Sequence, residues 1–242
     1  MNKHKNFVDI KKINPIKENV RFSYGNSKIG KIVNLNLLPG EKPLKCSTGT
    51  LTNIPGTCNG CCDGCEKFCY AIKAELRYNN TCMRSHAINT VIARNDIDDF
   101  FRKVDAKLSR MRSVKVFRYH TSGEIISYEY LLRMVNLAKK HKEVHFYFYT
   151  KRFGFVQKYL EEFGRFPSNL VCNISEWHGN TKGFDFSSLN KFVYCDGTED
   201  VPANAKFCPA VDENGHKTGV TCEKCGLCWR KSNGHTTYVH KH

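Results

Sequence analysis

Cysteine placement constrains this chain more than any other feature. Thirteen cysteines occur in 242 residues, and most fall into two dense groups near opposite ends. Cys58, Cys61, Cys62, Cys65 and Cys69 form the first, flanked by Cys46 and Cys82; Cys208, Cys222, Cys225 and Cys228 form the second. Cys172 and Cys195 stand alone between them. Core cysteines would follow the apolar period of helices and strands, and these do not. A chain this long buries a sizeable core without covalent staples. Its 40% hydrophobic and 12% aromatic content excludes a disordered or collagen-like chain. No apolar run approaches a membrane span, and the start Met1-Asn-Lys-His-Lys lacks the apolar stretch of a signal peptide. The expectation is a reducing, cytoplasmic setting without membrane association. There, dense cysteines bind metal rather than form disulfides.

The C-terminal group reads Cys222-Glu-Lys-Cys225-Gly-Leu-Cys228-Trp, with Cys208-Pro209 upstream. Two-residue gaps let successive thiolates turn onto one centre. Three cysteines in this run plus one from elsewhere is the pattern of iron–sulfur ligation, with Cys208 as the natural fourth. The alternative metal is zinc, whose four-cysteine sites more often use two separate C-x2-C pairs.

The N-terminal group offers more thiols than one cluster needs. Cys58, Cys62 and Cys65 fit C-x3-C-x2-C, a spacing that resembles radical S-adenosylmethionine (SAM) enzymes. Cys58, Cys65 and Cys69 give a second set, C-x6-C-x3-C. Either set leaves one iron of a [4Fe–4S] cluster without a protein ligand, open to a cofactor or substrate.

Between the groups, hydrophobic patterning is that of an α/β protein. Residues 32–38, 114–119, 144–149, 169–174 and 191–195 read as strands. Residues 70–78, 86–111 (with a break at Asn95-Asp96), a segment capped by Ser127, and 155–163 read as helices. Strand and helix alternate at intervals of about thirty residues, which fits βαβ units and a parallel sheet. The expected fold is a partial or complete (β/α) barrel, or a doubly wound sheet. Residues 1–30 read as a basic N-terminal arm. Residues 31–205 form the α/β domain, with the first cysteine loop at 46–82, and residues 206–242 form a C-terminal cysteine-rich element.

In parallel α/β folds, active sites lie at the C-terminal ends of the strands. Here those ends are polar: Arg118-Tyr-His120-Thr-Ser122-Gly123-Glu124, Tyr149-Thr150-Lys151-Arg152, Asn173-Ile-Ser175-Glu176 and Cys195-Asp196-Gly197. Arg118 and His120 continue the alternation of Val114 and Val116, which predicts a shared strand face. His120, with an ordinary pKa near neutrality, is the candidate acid or base. Glu124 would accept hydrogen bonds from a ribose or amine, and Lys151 would hold an anion. Arg118, Ser122, Gly123, Asn173 and Ser175 are candidate cofactor-binding residues.

Taken together, these motifs resemble a family of phage and plasmid proteins, the gene product eighty-eight family. The resemblance rests on Thr57-Cys58, Cys65, Cys69-Tyr70-Ala71, Arg118-Tyr-His120-Thr-Ser122-Gly123-Glu124, Tyr149-Thr150-Lys151 and Cys222-Glu-Lys-Cys225-Gly226-Leu227-Cys228-Trp229. It implies a viral or mobile-element origin, hence the host cytoplasm, and a barrel similar to radical SAM proteins. It also favours Cys58, Cys65 and Cys69 as the first ligand set. Glu124 stands where the family pattern has Asp, and Cys61 and Cys62 are extra.

Two functions follow as expectations. One is an iron–sulfur enzyme with two [4Fe–4S] clusters and SAM, served by a reductant such as flavodoxin or ferredoxin. The other is a nucleic-acid-binding protein with structural zinc or iron–sulfur sites. It is motivated by the net charge of +15 and by aromatic residues such as Tyr147 and Trp229. The two merge if the substrate is a nucleotide or nucleic acid.

Overall fold

The structure is a computed structural model and describes residues 9–46, 49–50, 52–61, 63–77, 79–198, 200–230 and 233–240. After a 3-10 turn at Ile10–Lys12 come β1 (Phe22–Asn26), β2 (Gly30–Leu35), β3 (Lys45–Cys46) and β4 (Gly49–Thr50). Helices α1 (Asp63–Phe68) and α2 (Tyr70–Arg77) lead through a π turn at Asn79–Met83 into α3 (Arg84–Asn95) and α4 (Ile97–Ser109). Then follow β5 (Val116–Tyr119), α5 (Tyr128–Lys140), β6 (His145–Thr150), α6 (Phe153–Phe163), β7 (Leu170–Glu176) and β8 (Asn190–Cys195). The last elements are α7 (Cys222–Cys225) and β9 (Thr236–His240).

The chain forms two compact units, each built from three separate stretches. The first takes Met1–Ser23, Leu35–Ser113 and His120–Leu137; the second takes Tyr24–Asn34, Val114–Tyr119 and Ala138–His242.

The second unit carries the sheet, in the order β1-β2-β5-β6-β7-β8-β9. From β5 to β9 every neighbouring pair is parallel. The sheet is open, so the complete barrel expected from the alternation is not formed. β1 and β9 each have one neighbour in it. The physical reason lies at the N-terminal end: residues 27–29 are too short a link for a parallel crossover, so β1 and β2 make a hairpin at one edge. The segment read as a basic arm therefore contributes β1.

Alternation along β6 divides the sheet into two faces. Phe117 pairs with Phe146, and Phe148 with Cys172, on one face. Phe117, Phe146 and Phe148 are fully buried, with Phe148 edge-on to Phe166 at 5.8 Å and Phe166 stacked on Tyr159 of α6 at 4.4 Å. Each such burial is worth about 1.5–3 kcal/mol. Gly164, at φ 74°, ends α6 by donating its N–H to the Leu160 carbonyl, a left-handed residue that glycine adopts at low cost. On the other face, Arg118 pairs with Tyr147, and Tyr149 with Asn173. There Ile29, Ile32, Tyr147 and Val171 form a buried cluster against which Val116, Tyr149, Cys222, Cys228 and Trp229 pack.

The first unit is mostly helical. The break anticipated at Asn95-Asp96 is a helix cap: Asp96 is extended, and its carboxylate accepts the Asp99 N–H at 2.9 Å. Ser127 does the same for α5, accepting the Tyr130 N–H at 3.1 Å. Phe101 of α4 meets Tyr130 of α5 edge-on at 4.8 Å. A second small core joins Leu38, Leu44, Met83 and Ala87.

Candidate metal centres and the residues around them

In the second unit, backbone hydrogen bonds seat the C-terminal cysteine element on the sheet face just described. The Cys222 N–H donates to the Lys28 carbonyl at 3.0 Å, and that of Glu223 to Ile29 at 3.2 Å. The Glu223 carboxylate accepts the Lys31 N–H at 2.9 Å. Gly30 faces Glu223 so closely that an added Cβ would stand 2.5 Å from its carboxylate oxygen. Thr221 caps α7 and Gly226 closes it in the left-handed conformation, turning the chain toward Cys228. The Trp229 indole N–H donates to the Cys222 carbonyl at 2.9 Å. Cys208 arrives from a different segment, its N–H bonded to the Tyr238 carbonyl of β9 at 2.7 Å.

This arrangement brings Cys208, Cys222 and Cys228 within electrostatic reach of one another, and Cys222 and Cys228 within reach of Arg118. Lys28 senses the Cys208 and Cys222 thiols and Arg118 as well. Burial pushes the Cys222 thiol up, with Arg118 opposing. Burial pushes Cys228 up to about 12, partly offset by a hydrogen bond from the Tyr149 hydroxyl. Burial lowers the Lys28 ammonium, while the cysteine thiolates oppose that shift. The Arg118 guanidinium lies 4.8 Å from the Tyr149 ring centre and 5.7 Å from that of Tyr147. Cys225 joins through its interaction with Cys222.

In the first unit, Thr57 ties the N-terminal cysteine loop down. Its N–H and hydroxyl both reach the Leu38 carbonyl, at 2.8 and 3.0 Å, and its hydroxyl oxygen accepts the Glu124 N–H at 2.8 Å. The Cys58 N–H donates to Gly40 at 3.1 Å. Cys58 thus has Cys61, Cys69 and Glu124 as electrostatic neighbours. Burial raises its thiol well above the usual range, and Glu124 adds to that. Cys65 lies in α1, and Cys69 stands between α1 and α2. Cys62, the middle member of the C-x3-C-x2-C set, lies outside the described residues. Among the described residues, no three His, Cys, Asp or Glu side chains form a ready-made metal-holding group.

Gly123 sits at φ +84°, and a Cβ there would stand 2.7 Å from the Leu37 Cβ and 2.8 Å from Thr57 Oγ1. The Ser122 hydroxyl lies 3.0 Å from the Leu37 carbonyl and 3.2 Å from Glu75 Oε1. The Thr121 N–H donates to Asn36 at 2.6 Å, and the Tyr70 hydroxyl to the Thr121 carbonyl at 2.5 Å. The buried His120 ring meets the Tyr130 hydroxyl at 2.9 Å.

β5 ends at Tyr119, so its alternation does not carry on to His120. Arg118 belongs to the second unit and His120 to the first, which corrects the expectation of a shared strand face. Arg118 is instead gathered with the C-terminal cysteines, on the face that also bears Asn173 and Ser175. The Asn173 amide donates to the carbonyls of Phe148 and Cys228. Lys151 donates to Ser175 at 2.8 Å. His120, Ser122, Gly123 and Glu124 all stand in the first unit, together with Cys58.

Sequence reasoning missed Lys28, which fell within the segment read as a basic arm; Tyr149 was named at a strand end and in the family motif, but without a role. Sequence reasoning also missed Glu75, buried in α2 and paired with His86 of α3. A lone acid among the apolar positions of α2 was the available signal.

A family model described as gene product 88 matches residues 22–231. The chain belongs to the gene product 88 family. The gene product 88 match takes in both cysteine groups and ends before β9. No curated protein and no solved structure matches the chain. Among the described residues of this gene product 88 protein, no helix is long and apolar enough to cross a membrane.

Proposed function

We propose that this chain is a phage-type iron–sulfur protein, a radical-SAM-like enzyme with two [4Fe–4S] clusters that acts on a nucleotide or nucleic acid. The observation that carries the reading is the convergence of Cys208, Cys222 and Cys228 from separate segments beside Arg118 and Lys28. The donor set suits such a group: soft thiols, an apolar shell from Ile29, Val171 and Trp229, and two cations to offset the charge of the thiolates. Cys208, Cys222, Cys225 and Cys228 would hold one cluster. Cys58, Cys65 and Cys69 would hold the other, with Cys62 as the alternative ligand. A cluster with three protein ligands, when bound, supplies an open iron that can chelate SAM and pass it an electron. In this reading Glu124, an electrostatic neighbour of Cys58, would accept a hydrogen bond from an amine or ribose hydroxyl of the cofactor, and Gly123 lets its own backbone pack against Leu37 and Thr57. His120, set by Tyr130, would handle the proton in the first unit; in the second unit Lys151, which donates to Ser175, would hold an anion of its own. A reductant such as flavodoxin or ferredoxin would supply the electron.

Anaerobic reconstitution tests this. About eight irons and eight labile sulfides per chain are expected, four per cluster. Cys222→Ser should halve both. Stoichiometric zinc without sulfide overturns the iron–sulfur reading. With dithionite and SAM, the loaded protein should release 5′-deoxyadenosine, and a loaded protein that releases none is not a radical SAM enzyme.

The net charge of +15 favours a second reading, nucleic-acid binding without catalysis. Lys and Arg displace counterions from phosphates, so affinity would then fall steeply with salt. Binding insensitive to salt rejects it.

A further inference from the structure

We infer that the N-terminal end of the parallel strands carries a binding surface for single-stranded nucleic acid, with Phe163 as its stacking ring and Lys139, Lys142 and Arg165 as its phosphate contacts. This deepens and rests on the nucleic-acid-binding reading above, and it involves no metal. All four residues lie in the second unit, where α5 leads into β6 and α6 leads into β7. The two links line a cavity of about 300 Å³, bounded by Lys139, Lys142, Pro167, Ser168 and Asn169. Lysines at the end of a helix ordinarily bond its last carbonyls or offset its dipole. Here a buried side chain has taken the carbonyls: the Asn169 amide donates to those of Ala138, His141 and Val144 at 2.9, 3.1 and 3.0 Å. Lys139, Lys142 and Arg165 are exposed, and among the described residues none of them is in an ion pair. The acids of the same segments are engaged elsewhere. Glu143 lies 3.6 Å from His141, Glu162 lies 3.7 Å from Lys158, and Glu161 accepts the Gln157 amide at 2.8 Å.

Phe163 supplies the other half of the recognition. It ends α6 and is 52% exposed. Tyr159 backs it with ring centres 4.9 Å apart, and Tyr159 stacks in turn on the buried Phe166 at 4.4 Å. The ring is therefore anchored to the core yet half open. The Lys139 ammonium stands 6.0 Å from its centre, so ring and charge are neighbours. Unpaired cations beside a concave wall concentrate positive potential and attract phosphates. An aromatic ring among them accepts the face of a base, which a single strand offers and a duplex hides.

The test is fluorescence anisotropy of a labelled oligothymidylate of about 12 nucleotides, titrated with the full-length chain over a range of salt. Phe163→Leu should weaken binding about 5-fold or more, and Phe163→Tyr should leave it near wild type. Lys139→Gln and Lys142→Gln should each reduce the slope of log affinity against log salt by about 0.7, the loss of one phosphate contact on a single strand. Arg165→Gln should do the same, and Arg165→Lys should not. A duplex of the same length should bind more weakly and ignore Phe163→Leu. A merely structural role for these side chains would move the melting temperature without this salt order. The three cations are exposed, so their variants keep the test valid if the Phe163 variants unfold. Salt-dependent binding that none of these substitutions changes overturns this inference and leaves the nucleic-acid-binding reading standing. So does a duplex bound as tightly as the single strand. A wild-type chain that binds no oligonucleotide overturns both.

Discussion

The Asn173 side-chain amide donates to the Cys228 carbonyl at 3.0 Å. The same amide reaches the Phe148 carbonyl at 3.1 Å, so one buried residue of β7 links the sheet to the last cysteine of the C-terminal run. Asn173→Ala should therefore cost about 1–3 kcal/mol by leaving buried acceptors unpaired. It should also loosen the C-terminal thiols. Urea denaturation measures the first effect. The rate at which Cys228 reacts with a thiol reagent in the apo protein measures the second, and a rate equal to wild type would show that Asn173 does not hold this segment.

A side chain at Gly123 is costly. The residue's positive φ disfavours one, costing roughly 1–3 kcal/mol, and a Cβ would meet Leu37 and Thr57 at under 3.0 Å. Gly123→Ala should lower stability by more than the φ penalty alone, since Leu37 and Thr57 must also give way. The urea midpoint of Gly123→Ala against that of Gly179→Ala provides the comparison. Gly179 also has positive φ, but it has open space around its Cβ position.

Glu75 anchors a buried network. Its Oε1 meets both His86 and Ser122, and its Oε2 has no hydrogen-bond partner among the described residues. Glu75→Ala removes the buried partner of His86 and leaves the Ser122 hydroxyl only the Leu37 carbonyl, and should cost about 1–3 kcal/mol for the unpaired buried group. Glu75→Gln keeps a carbonyl oxygen for Ser122 and should cost clearly less. Equal losses for the two variants would place the energy in packing rather than in the acceptor.

The apo protein should lose stability in alkali. Burial raises the Cys222 and Cys228 thiols, Cys228 to about 12. Unfolding returns them to the ordinary range near 8.5. Below that range the thiols are neutral in both states, and their contribution to stability is fully present. As pH climbs toward 12 the unfolded chain ionises first, binds fewer protons than the folded one, and gains population. Thermal melting of the apo protein from pH 8 to 11 should show a falling midpoint. Cys228→Ser should flatten the slope.

Much of the fold was readable because its strongest signals are local. Phe146, Phe148, Tyr147 and Tyr149 alternate over a β-branched and aromatic run, and Ser127 and Asp96 cap helices through their own side chains. Two kinds of feature were not readable. The edges of the sheet depend on pairing across long sequence distances: β9 lies in a His-rich segment with no pattern of its own, and β1 lies in a basic stretch. The surroundings of the candidate centres are also non-local. Cysteine spacing named the thiols, but Arg118 reaches the C-terminal set only because strand register puts it on the face of Tyr147 and Asn173. Alternation was extended one residue too far at His120, because the end of a strand is set by its neighbour's hydrogen bonds rather than by side-chain type.

The contact between the Lys31 N–H and Glu223 joins residues 192 positions apart. During synthesis, the turn that receives α7 leaves the ribosome long before α7 exists. The β1–β2 turn waits for most of the chain before α7 can dock on it, and contacts of such long range slow folding in general. A chain that stops before Cys222 would therefore leave the β1–β2 turn without the N–H groups of Cys222 and Glu223 that it receives.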